Sequence, residues 1–267
     1  MRLSIGCDPE LFLFDNLLQR IVPAVGKIGG TKQKPLKLTK GTVQLDGTVV
    51  EIGTDPAYSG EEFVENLQSV ISEVQTKLDN RFHGRYSLRC GALAGYSDED
   101  ISPKHVGLEV GCDPQYSFAS ETELVKVAGQ DRLSIDAIPV GGHIHVGFGC
   151  NLPITDKRLV VSVSRFVDKL YPKLPVVQTP QSEARRGLMN ADNALVRIKP
   201  YGFEIRNMDS YWLADKRMAA QMFTRIQRSY ENLQGYAHPT LTDYAQGIES
   251  AVAKLPAKYQ GTLPLDF

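Results

Sequence analysis

The chain has 267 residues, enough to bury a sizeable core as one large unit, and its 30 Lys and Arg against 31 Asp and Glu leave a formal charge of -1. That balance excludes a global basic field for nucleic acid, and no apolar run approaches a membrane span. The start, "MRLSIGCDPELFLF", carries acids inside its apolar run and no small-residue cleavage site, which argues against a secretory signal. Cys7, Cys90, Cys112 and Cys150 show no CxxC spacing, so they read as reduced thiols of a cytoplasmic protein.

In chain order, strands are expected at "RLSIGC" and "ELFLF", then in "GTVQLDGTVVEIG", where Asp46-Gly47 between alternating runs signals a hairpin. Before that hairpin, "GKIGGTKQKPLKLTKG" is a glycine- and lysine-rich loop, either a solvated basic segment or a mobile wall or lid. Ser59 and Glu62 form a capping box, and Phe63, Leu67, Val70, Ile71, Val74 and Leu78 recur at helical spacing. Further strands are expected at "RYSLRCG", "VGLEVGC", "RLSIDAI" and the segment "GGHIHVGFG". A helix follows from Thr155 to about Leu170, stopped by Pro172. "NALVRIKP" and "GFEIRNMD" read as strands, and helices are expected at about 214–233 and 240–255. The many strand runs without intervening helices predict an α+β fold, with a mostly antiparallel curved sheet and helices packed on its outer face, in a single domain over 1–267. "GCDP" occurs at Gly6 and again at Gly111, an echo that marks either two related halves or coincidence.

Alternation turns these strands into chemistry. His143 and His145 are two residues apart, so a strand presents both rings on one face, as ligands or as hydrogen-bonded core histidines. Glu204 and Arg206 stand in the same relation, readable as a site or as a same-face salt bridge. Asp8, Glu10 and Glu51 place carboxylates inside apolar strands, where a hard cation would offset the desolvation of isolated charges. Pro9 threatens the same-face relation of Asp8 and Glu10, and Asp46 before Gly47 reads as turn chemistry. Carboxylates with imidazole suit Mg2+ or Mn2+ better than structural zinc. Arg206, Arg185, Arg186 and Lys199 are candidates to hold phosphoryl oxygens, and the chain has no GxxxxGK[ST] loop.

The order of motifs is specific. A GxDPE strand, the Gly/Lys loop, QxDGxxxE, GCDP, GGHIHxG, an Arg pair and YGxExR followed by Trp resemble the phage-associated amidoligases, the type 2 carboxylate-amine ligases of the glutamine synthetase fold group. The resemblance runs from about Gly6 to Trp212 and leaves about 214–267 uncovered. It implies a glutamine synthetase-like catalytic sheet around ATP and divalent metal, and a ligase forming an amide through an acyl phosphate. Its substrates would be small-molecule or peptide carboxylates and amines, with no nucleic acid or membrane partner. Residue by residue it implies metal ligands at Glu10, Glu51, His145 and Glu204. Arg206 becomes a catalytic phosphate contact with Arg185 and Arg186 beside it, and Lys199, Arg206 and His143 become nucleotide contacts. Asp8 stands where glutamate-cysteine ligases have Glu and is left off the ligand set; Ile205 replaces a usual aromatic, and "GLMN" follows the Arg pair in place of a YG element. Two other classes fit the residues alone: a metal-dependent hydrolase using the same His/Glu cluster, which would act without nucleotide, and a non-catalytic nucleotide-binding phage factor.

Overall fold

The structure is a computed structural model that describes residues 3–100, 115–120, 123–127, 137–148, 178–188, 195–231 and 263–265. Its elements are β1 (Ser4–Asp15), β2 (Arg20–Val22), β3 (Leu36–Leu38), β4 (Gly41–Asp46), β5 (Val49–Thr54), α1 (Gly60–Phe82), β6 (Tyr86–Cys90), β7 (Leu93–Ala94) and β8 (Gln115–Ser120). There follow β9 (Glu123–Val127), β10 (Ile138–Pro139), β11 (Gly142–Gly147), α2 (Pro180–Leu188), β12 (Leu195–Lys199), β13 (Gly202–Ile205), α3 (Lys216–Glu231) and β14 (Leu263–Pro264). The strands expected at "VGLEVGC" and most of "RLSIDAI", the helices at 155–170 and 240–255, the second GCDP, Cys112 and Cys150 lie outside the described residues. Cys7 and Cys90 are buried free thiols. No helix among the described residues is long and apolar enough to cross a membrane.

The main sheet runs β3-β4-β5-β1-β11-β13-β12-β8-β9, and its ladders are antiparallel, as the hairpins and alternation predict. β1 is one strand where two were expected. Pro9 is tolerated because the β1–β5 ladder pairs only Glu10 with Glu51 and Leu11 with Val50, while the Cys7 N–H on that edge donates to Thr54 Oγ1 at 3.0 Å. The period-two alternation therefore survives through Asp8 and Glu10.

One face of this sheet is core. Ile5, Cys7, Leu11, Val50, Ile52, Ile144, Val146, Phe203 and Ile205 share a buried cluster with Phe63, Leu67 and Val70 of α1 and Met218, Met222 and Phe223 of α3. Each such side chain contributes roughly 1.5–3 kcal/mol by leaving water, which is what fixes the register and turns the alternate residues to the other face. The predicted start of α1 is present: Ser59 Oγ accepts the Glu62 N–H at 3.1 Å, and all six predicted apolar positions are buried. Phe63 stacks on Trp212 with ring centroids 6.2 Å apart.

The opposite face has a sharp limit. Beyond Glu10 the same-face residues of β1 become Phe12 and Phe14, which enter a second buried cluster with Ile21, Val49, Tyr96 and Val140. The same crossing occurs on β5, where Val49 belongs to this cluster and Glu51 does not. An apolar wall thus closes one end of a polar face.

Where β1 turns into β2, Asp15 fixes the geometry. Its Oδ1 accepts the Leu17 and Leu18 N–H groups at 2.9 and 3.0 Å, and its Oδ2 meets Arg85 at 2.8 Å, with 1% of the side chain exposed. Burial acts to raise its pKa, but Arg85 and the two N–H groups outweigh it and hold Asp15 below the ordinary carboxylate value. A depressed carboxylate contributes stability that is complete above its unfolded pKa of about 3.9 and lost as pH falls through the folded value. Asp15→Asn is therefore expected to cost about 2 kcal/mol at neutral pH. In thermal melts the gap from wild type should stay constant above about pH 5 and close towards acid. A gap that persists unchanged at low pH would show that the charge is not the source.

Candidate functional site

Cross-strand partners share a face, so the register alone assembles the site. Asp8 pairs with His143, Gly6 with His145, His145 with Glu204, and Glu204 with Arg197. On the other side of β1, Glu10 pairs with Glu51 and Glu51 with Gln44. Chain segments from Gly6 to Glu204 thereby set carboxylates, imidazoles and cations along one polar surface.

Its centre is a set of three potential ligands. One ligand atom each from Asp8, His143 and Glu204 lies within 4.8 Å of the others. His143 Nδ1 is 3.5 Å from Asp8 Oδ1 and 3.7 Å from Glu204 Oε1. His145 lies to one side, with Nε2 at 2.8 Å from Asp8 Oδ1 and Nδ1 in a hydrogen bond with the Tyr201 hydroxyl. Glu204 has no exposed surface and carries three cations: Arg206, Lys199 Nζ at 3.0 Å and Arg197 Nη1 at 3.4 Å. Glu10 Oε2 accepts the Gly141 N–H at 2.6 Å, and Glu51 Oε2 accepts from Gln44 at 2.8 Å.

The charges are unevenly matched. Burial acts to raise Asp8, but His145 and then His143 outweigh it and hold the carboxyl below its usual range. Burial and Asp8 likewise oppose ionisation of Glu204, and Arg206 with the two imidazoles overcomes them. His145 is raised despite burial because Asp8 faces it. Away from the cations the balance reverses: burial, then Asp8, Glu10 and Asp46, push Glu51 up to about 9. Burial and Glu10 push Asp46 to about 7 against the pull of Lys32 and Arg206. The crowding of carboxylates that raises Glu51 and Asp46 is what a hard divalent ion would relieve. The donor set of carboxylate oxygens with one imidazole fits such an ion.

Beside this cluster a cleft of about 480 Å3 opens at the end away from the apolar wall. Asp8, Glu51 and His145 line its inner side, and Gly6, Gly53 and Gly147 pave its floor. At Gly6 a planar group can approach the backbone closely, while the Thr42 and Ser4 hydroxyls stand against Gly53 and Gly147.

The structure thus brings Glu10, Glu51, His143, His145, Lys199, Glu204 and Arg206 to one face. It differs from the sequence reading in four places. Asp8, left off the ligand set because it stands where glutamate-cysteine ligases have Glu, is central. The imidazole grouped with Asp8 and Glu204 is His143 rather than His145. The hairpin turn is Gly47–Thr48, with Gly47 at φ 54°, so Asp46 is a strand residue whose carboxylate joins the polar face. Arg185 is 2% exposed and donates to the backbone carbonyls of Asn207 at 3.1 Å and Arg206 at 3.5 Å, which makes it a brace behind β13, and its neighbour Arg186 shares that helix, α2. Arg197 was missed, although "VRIK" shows the same i, i+2 alternation of charge that drew attention to Glu204 and Arg206.

No protein-family model matches the chain, and no curated protein matches it. Among solved structures it is similar to one described as "Crystal structure of novel glutamine synthase homolog", at 15% identity and a TM-score of 0.43. That alignment covers 97% of this chain, which spans 64% of the other's length.

Proposed function

We propose that the protein is an ATP- and Mg2+- or Mn2+-dependent ligase that joins a carboxylate to an amine, in the manner of the phage-associated amidoligases whose motif order it resembles. The observation that carries this reading is the meeting of Asp8, His143 and Glu204 within 4.8 Å, on one face with three cationic side chains. Asp8, His143 and Glu204 would hold one divalent ion, and Glu10 and Glu51 supply carboxylates for a second. Ions bound there would draw charge from phosphoryl oxygens and let an anionic nucleophile approach. The glycine-paved cleft takes the nucleotide, with Lys199 and His145 towards its phosphate chain.

Arg206 binds the phosphoryl group in transfer, the task for which its planar fork is suited, while Arg185 holds the backbone that aims it. A substrate carboxylate oxygen bonds to the γ-phosphorus as the bond to the ADP oxygen breaks, giving an acyl phosphate. The amine nitrogen then bonds to the acyl carbon, phosphate leaves with the electron pair of the C–O bond, and the amine gives up a proton. Positioning and charge stabilisation account for most of such a reaction, so the fixed polar face is the essential part.

The test is a screen for amine-dependent ADP release across amino acids and cell-wall peptides with Mg2+. ADP is expected only when acid and amine are both present, and Arg206→Ala is expected to reduce it about a hundredfold or more. Hydrolysis of a substrate without nucleotide would replace the ligase with a metal-dependent hydrolase. Stabilisation by Mg·ATP without turnover for any pair would leave a binding protein.

A further inference from the structure

Arg206 lies just past the paired part of its strand. The ladders of β13 with β11 and with β12 both reach only to Ile205, so sheet register does not fix Arg206. The chain that follows, from 206 to 212, is held on several sides. The Gly142 N–H donates to Met208 O at 2.9 Å, the Trp212 indole donates to Gly142 O at 3.2 Å, and the Ser210 N–H donates to Gly91 O at 3.0 Å. From behind, α2 adds two grips. Arg185 donates to the carbonyls of Arg206 and Asn207, and the Ser182 hydroxyl donates to Asp209 Oδ2 at 2.6 Å. Asp209 Oδ1 in turn accepts the Tyr211 N–H at 3.1 Å. Thr179 Oγ1 accepts the Ser182 N–H at 3.0 Å and donates to the Ser182 hydroxyl at 3.0 Å.

Thr179, Ser182, Arg185 and Asp209 are all buried. Burial pushes the Asp209 carboxyl up, against the pull of Ser182 and the Arg185 charge. Apolar side chains of similar volume would fill this space without that desolvation cost, whereas a buried polar network whose members bond to one another specifies a single arrangement. What it specifies here is how the chain carrying Arg206 sits against α2 and against Gly142, the residue before His143.

We propose that Asp209 is a positioning residue: with Ser182 and Arg185 it locks α2 to the segment after β13, and so aims Arg206 at the phosphoryl group. The inference rests on the proposed ligase reading for what Arg206 faces. Asp209 itself touches neither the ion nor the nucleotide in this account.

Nitrogen–proton NMR of the arginine side chains reads the position of Arg206 without any ligand, its Nε–H signal being the one absent from Arg206→Ala. Asp209→Ala and Ser182→Ala are expected to shift or broaden that signal, and Asp209→Asn, which keeps a partner for Ser182 and for the Tyr211 N–H, to restore it. Ser182→Ala removes one hydrogen bond only, so it answers the question if Asp209→Ala does not fold. An Arg206 signal that stays in place in Ser182→Ala and in any folded Asp209→Ala would overturn the inference. Calorimetry then reads the consequence: wild type should bind Mg·ATP about tenfold tighter than Mg·ADP, the worth of one charge-assisted contact to the terminal phosphate. The two Ala variants should lose that preference with Mg·ADP and Mn2+ binding unchanged, and Asp209→Asn should regain it. A preference kept in both, or both nucleotides weakened alike as a merely structural role predicts, would also overturn it. If wild type binds no nucleotide, or both alike, the ligase reading loses its place for Arg206, and a signal moved by Ser182→Ala leaves the positioning role standing.

Discussion

Asp8→Asn is expected to abolish amine-dependent ADP formation, by about a thousandfold, while the protein stays folded. The substitution keeps the shape of the side chain and its place opposite His143. It removes the formal charge that the two imidazoles hold ionised and that a divalent ion would share with Glu204. Loss of a direct metal ligand costs several kcal/mol of charge stabilisation, and about 4 kcal/mol is a thousandfold in rate. Mn2+ affinity should fall with it, by at least about the hundredfold typical of weaker outer contacts. Stability should change little, because Asn avoids burying an unpaired charge and His145 keeps a polar neighbour. If turnover and Mn2+ binding survive in Asp8→Asn, the residue does not hold the ion and the site must be drawn elsewhere.

Gly6→Val is expected to separate nucleotide from metal. A side chain at Gly6 meets Thr54 O at 3.5 Å and Thr54 Oγ1 at 3.6 Å, ordinary contact distances, so the strand accepts it and its methyl groups project into the cleft. Unaccommodated methyl groups cost up to about 3 kcal/mol, which makes Mg·ATP binding about a hundredfold weaker. Mn2+ binding should be unchanged, since Gly6 contributes no donor atom. Gly142→Ala provides the contrast: the Asp209 backbone and the Trp212 indole stand within clash distance of a new Cβ, so that variant should lose stability first. Equal Mg·ATP affinity in wild type and a folded Gly6→Val would remove the nucleotide from this cleft.

Much of the polar face was legible because strand alternation is strict. Once "GGHIHVG", "GFEIR" and "VVEIG" are placed on strands, the apolar residues between the charges decide which way the charges point, and the core cluster confirms that placement. What stayed hidden depends on register and on turn position. Which imidazole joins Asp8 and Glu204 in one group depends on the register on both sides of β11, Asp8 with His143 and His145 with Glu204, which no local pattern encodes. Asp46 was hidden by a shift of one residue in the hairpin turn, which converts turn chemistry into a half-buried carboxylate of the polar face. Pro9 carried a warning about broken strands that its neighbours cancel, because Thr54 Oγ1 and the short β1–β5 ladder leave no backbone donor missing there. Arg185 looked like site chemistry because arginine suits phosphate, yet the folded chain spends its fork on two carbonyls.

Anomalous scattering from crystals grown with Mn2+ and a non-hydrolysable ATP analogue tests the central claim most directly. The account predicts a manganese peak bounded by Asp8, His143 and Glu204, with the analogue's terminal phosphate reaching it from the cleft floored by Gly6, Gly53 and Gly147. Manganese bound only away from these three side chains, or a nucleotide seated on another surface, would contradict it.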